Sequence, residues 1–71
     1  MNPALLWHNK FKKSLPVAVL EAAAHHLARL GTPATNVILP LGEYPPEVGG
    51  LIVETDKTVK GLYLKVYADE Q

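Results

Sequence analysis

The tripeptide Gly31-Thr32-Pro33 divides the sequence into two periodicities, and any fold for the chain must respect that break. Before it, apolar residues recur at three- and four-residue steps. After it they alternate in short runs punctuated by glycine and proline. A chain built this way is α+β, with one principal helix set against strands that follow it.

The helix has clear ends. Ser14 is a good N-cap, Pro16 falls in the first turn where its missing N–H costs nothing, and Gly31 followed by Thr32-Pro33 is a stop. The predicted main helix therefore covers about residues 15–30. Val19, Leu20, Ala23, Leu27 and Leu30 form an apolar stripe expected to face inward, with Glu21, His25 and Arg29 four apart on another face. Ala22, Ala23 and Ala24 keep the middle of the helix slim enough for close approach to a sheet.

Three strands are predicted after the break, at about residues 35–39, 51–55 and 61–67, forming an antiparallel sheet. Residues 55–60 are expected to join the last two as a hairpin, and Pro40 to end or bend the first. Alternation assigns Val37, Leu39, Leu51, Val53, Leu62, Leu64 and Val66 to one side of the sheet, as the seat of the helix. Ile38, Ile52, Tyr63 and Tyr67 fall on the other, beside Glu54 and Lys65. At the start, Asn2-Pro3 reads as an N-cap followed by a proline at a first helical position. A short N-terminal helix over about residues 3–11 is predicted from it, with Trp7 and Phe11 on one face.

Length sharpens the problem of that second sheet face. At 71 residues the chain is expected to be a single domain, residues 1–71, because a second core would leave each half too small to stand without a staple. There is no cysteine, so neither a disulfide nor a thiolate metal site can supply one. One helix can cover only one face of a small sheet, and the remaining face is not polar. Either the segment carrying Trp7 and Phe11 folds across it, or a second subunit does.

The expected function follows from that surplus. The chain reads as a small non-enzymatic protein-interaction module, a homodimer or an accessory subunit of a larger assembly. Its interface residues are Ile38, Ile52, Tyr63 and Tyr67, together with Trp7, Phe11 and Tyr44. Tyr44 lies in the longest irregular stretch, residues 41–50, where Pro45-Pro46 stiffens the backbone and would display the ring at low entropic cost. The alternative is a crossover between strands with Tyr44 packed on the domain edge.

Other chemistries find less support. Lys10, Lys12 and Lys13 around Phe11, close to Trp7, combine cations with aromatic faces as a weak nucleic-acid contact would require. Seven basic and seven acidic residues balance overall, however, which argues against nucleic acid as the main partner. The balance is uneven along the chain. Residues 1–35 carry Lys10, Lys12, Lys13 and Arg29 against Glu21, and the remainder three lysines against six acids, so the halves stand at +3 and −3. If the fold separates them, the molecule is dipolar.

His8, His25 and His26 do not make a metal site by spacing, since neighbours on a helix point about 100° apart. His26 is expected at the edge of the core. No activated nucleophile, paired carboxylate or phosphate-binding loop is present, so no catalytic residue, metal or cofactor is expected. With neither a signal segment nor an apolar run of membrane-spanning length, the expected location is cytoplasmic, without membrane contact.

Overall fold

The computed structural model describes residues 4–69. Its element order is β1 (Leu5–His8), α1 (Leu15–Leu30), β2 (Asn36–Pro40), β3 (Ile52–Asp56) and β4 (Tyr63–Tyr67). The strands form one sheet in the order β1-β4-β2-β3. β4 runs antiparallel to both its neighbours, and β2 and β3 run parallel. The α+β class with a single helix is therefore observed, but the sheet is four-stranded and mixed, not three-stranded and antiparallel.

The extra strand is the segment expected to be helical. Leu5–His8 pairs with β4 in the register Leu5↔Val66 to His8↔Tyr63. A four-residue apolar run carries too little periodicity to separate helix from strand, and here the free edge of β4 decides by satisfying its backbone groups. The Asn2-Pro3 cap lies outside the described residues. Strand alternation also separates Trp7, which packs under the helix, from Phe11, which stands exposed in the following turn.

That turn is braced by Asn9, a buried polar residue. Its amide donates to the Lys13 carbonyl at 2.9 Å and accepts from the Lys13 N–H at 3.0 Å, while its own N–H donates to the Leu62 carbonyl at 2.8 Å. The chain then enters α1 over Ser14, whose carbonyl accepts from the Ala18 N–H at 2.9 Å. The Ser14 hydroxyl makes no capping bond. Gly31, at φ 76°, takes the left-handed conformation that ends the helix, donating its N–H to Leu27 at 2.9 Å.

The helix is rotated from the expected stripe. Ala18, Val19, Ala22 and His26 are the buried positions, and Leu20 and Leu27 point to solvent. The reason is volume. The sheet presents Trp7, Leu39, Leu64 and Val66 to the helix, and the small Ala18 and Ala22 let the backbone come down onto those large side chains. His26, expected at the core edge, is completely enclosed.

Residues 55–60 do not form a hairpin between neighbouring strands. Asp56 accepts from the Thr58 N–H at 2.9 Å and the Val59 N–H donates to the Asp56 carbonyl at 3.2 Å, turning the chain past β2 to the far side of it. β4 carries Leu64 and Val66, both buried, and takes an interior position with partners on either side. The parallel β2–β3 link is made by residues 41–51, which place Val48 and Leu51 against the core beside Val53.

Candidate interaction surface

Helix and core lie on one side of the sheet, and the other side exposes Leu6, Ile52 and Tyr63 around the buried Asn36. Strand register arranges that open face in levels. Lys65 pairs with Leu6 on β1 and with Ile38 on β2, and Ile38 pairs with Glu54 on β3, so Leu6, Lys65, Ile38 and Glu54 cross the sheet in one row. The next level holds Tyr67, Asn36 and Ile52. In the other direction His8 and Tyr63 are ladder partners whose rings stack at 4.6 Å and 17°.

Leu6 is 64% exposed, Ile52 57% and Tyr63 43%, while Ile38, Tyr67 and Lys65 are half-buried by their neighbours. The four residues expected to share the second face, Ile38, Ile52, Tyr63 and Tyr67, are thus brought together. Leu6 and His8 join them, and could not be anticipated while their segment was read as helix.

The remaining candidates are elsewhere. Trp7 is on the helix side, its ring 4.9 Å from that of His25 and its indole Nε1 buried without an acceptor among the described residues. Tyr44 projects almost fully exposed from the β2–β3 crossover. Phe11 is exposed, with Lys10 Nζ 5.2 Å above its ring. Lys13 is paired with Glu21 at 2.6 Å. Of the basic and aromatic cluster, then, one lysine is neutralised, one lies over the only exposed ring in it, and the tryptophan is turned toward the helix.

Comparison with known proteins gives no match, whether to a protein-family model, to a curated sequence or to a solved structure. Any functional reading therefore rests on the surface itself.

Charge on the open face is divided across the strands, and not between the two halves of the sequence. Lys65 stands on β4, Glu54 and Asp56 on β3. The Asp56 carboxyl is held below its ordinary value of 3.8, chiefly by the hydrogen bond from the Thr58 N–H and then by the Thr58 hydroxyl at 3.1 Å, which outweigh the opposing desolvation, with smaller attractions from Lys65 and Lys57. A depressed folded-state value means that ionisation favours the folded turn. The contribution is present above the unfolded value and is lost as pH falls through the folded one. In an acid titration followed by NMR, the Thr58 amide is expected to move with a midpoint below 3.8. A midpoint at or above that value would show that the turn bond is not held in solution.

Among the described residues no cluster of three histidine, cysteine or acidic side chains is placed to hold a metal. Nor is any described helix long and apolar enough to cross a membrane. The groove between β1 and the helix start is lined by Trp7, His8, Asn9, Lys10, Phe11, Lys13 and Glu21. Its one carboxylate, Glu21, is the partner of Lys13.

Proposed function

We propose that this chain is a small non-enzymatic interaction module, working as a homodimer or an accessory subunit, whose docking surface is the open face of the sheet. The carrying observation is that the segment carrying Trp7, which the sequence offered as a cover for that face, is used instead as edge strand β1. Leu6, Ile52 and Tyr63 are left in contact with water around the half-buried Ile38 and Tyr67. Aliphatic and aromatic side chains exposed together on one sheet face suit an interface, and Lys65 and Glu54 interleaved among them would give it direction. The Lys10, Lys12 and Lys13 cluster offers less, because Lys13 is paired with Glu21 and Trp7 is turned toward the helix.

A photo-crosslinking amino acid at position 52, in the cells that make the protein, tests this reading. Covalent protein adducts are expected from position 52 and not from position 29 on the exposed side of the helix. Position 52 yielding no adduct above that control would refute it.

A further inference from the structure

We infer that the open face pairs with the same face of a second copy of this chain, about a two-fold axis lying along β2. This rests on the interaction reading above and names the partner.

Two copies meeting through the same face are related by a two-fold axis lying in the plane between them. Three placements of that axis are natural for this sheet, and charge separates them. An axis across the strands sets every strand over itself, and at the level of Ile38 it would put Lys65 against Lys65 and Glu54 against Glu54. An axis along the strands at the sheet midline exchanges β4 with β2 and β1 with β3. It would bury Lys65 against Ile38 and Glu54 against Leu6, leaving both charges without partners.

An axis along β2 exchanges β4 with β3 and keeps each residue at its own level. Because Ile38 is the ladder partner of both Lys65 and Glu54, this rotation sets Lys65 of each copy over Glu54 of the other, with Ile38 over Ile38 between them. One level away Asn36 is flanked by Tyr67 and Ile52, so each tyrosine ring covers the second copy's isoleucine. Two residues the other way along each strand, Tyr63 comes to the level of the second copy's Asp56, a hydroxyl facing a carboxylate. The face is therefore complementary to itself at three successive levels.

The overlap spans three strands at about 4.8 Å and five residues at about 3.3 Å, a footprint of roughly 14 by 16 Å. So small an interface belongs with weak, exchanging associations. The two ion pairs lie at its margins, where they set orientation and partner choice more than affinity.

Sedimentation equilibrium of the purified chain from micromolar to millimolar concentration tests the arrangement. The wild type is expected to show a monomer–dimer equilibrium. Lys65→Glu and Glu54→Lys should each weaken it by about tenfold or more, since each reversal creates two like-charge contacts. An equimolar mixture of the two variants should associate again, because all four charges then meet opposite partners, and so should the double variant. Regain of association on mixing also shows that both variants are folded. A dimeric wild type whose variants fail to associate on mixing would overturn the axis. A wild type monomeric throughout, with position 52 crosslinking only to a different protein, would overturn self-pairing and leave the interaction reading intact. Monomers with no adduct at position 52 would remove both.

Discussion

Truncating His26 to alanine is expected to cost about 3 kcal/mol, a large share of the roughly 4–10 kcal/mol that a domain of this length has in total. The imidazole is completely enclosed, so its removal leaves a cavity the size of a ring between the helix and the sheet. Its Nδ1 lies 2.8 Å from the Thr32 carbonyl. A carbonyl only accepts, so in the neutral ring the hydrogen is on Nδ1 and Nε2 is left as an acceptor. Nε2 has no donor among the described residues. Two effects thus oppose each other: the Nδ1 bond, worth about 1 kcal/mol, and the desolvated Nε2, which costs a comparable amount. Since they nearly cancel, ring volume should dominate. His26→Leu is therefore expected to lose only about 1 kcal/mol where His26→Ala loses about 3. Urea unfolding of both variants measures the difference. Equal losses would show that the tether to Thr32, and not the filling of space, is what holds the helix end in place.

Local chemistry was legible in the sequence and long-range pairing was not. Both ends of α1 fall where they were expected, with Pro16 in the first turn and Gly31 at the stop, although the Ser14 hydroxyl makes no capping bond. The three later strands lie within two residues of their expected positions, since alternation identifies them without reference to partners. Sheet order depends on which edge remains free once the others have paired. Nothing in Leu5-Leu6-Trp7-His8 announces that its partners are 55 to 61 positions away on β4. The helix buries a face other than its most hydrophobic one for a related reason. A hydrophobicity stripe favours Leu20 and Leu27, but the packing face is chosen by fit, and a sheet already carrying Trp7 and Leu64 needs Ala18 and Ala22 opposite them.

The same distinction applies to the candidate surface. Alternation alone puts Ile38, Ile52, Tyr63 and Tyr67 together, and that grouping needs only the strand positions. What makes the surface asymmetric, Lys65 on one side of Ile38 and Glu54 on the other, requires β2 to lie between β4 and β3. An uninterrupted β3–β4 hairpin would have placed those two charges on adjacent strands, where they would neutralise each other within one chain. The mixed topology instead holds them apart by a strand.

Adjacent residues on β4 give the sharpest contrast in stability. Leu64→Ala should cost about 3 kcal/mol, because the side chain is 2% exposed at the centre of the core and its loss leaves a cavity between β4 and the helix. Tyr63→Ala, one position earlier, should cost under about 1 kcal/mol. Its ring is 43% exposed and loses chiefly the stack on His8. Denaturant midpoints at unchanged slope measure both. The comparison is diagnostic because the side-chain period of a strand is two: a slip of one residue would send Leu64 to the open face and Tyr63 to the core, and the two costs would change places. With the costs in the expected order, Tyr63 is largely free of any structural task within its own chain. A tyrosine that contributes little to its own fold is available to the docking proposed for this face, which would bury the ring and its hydroxyl.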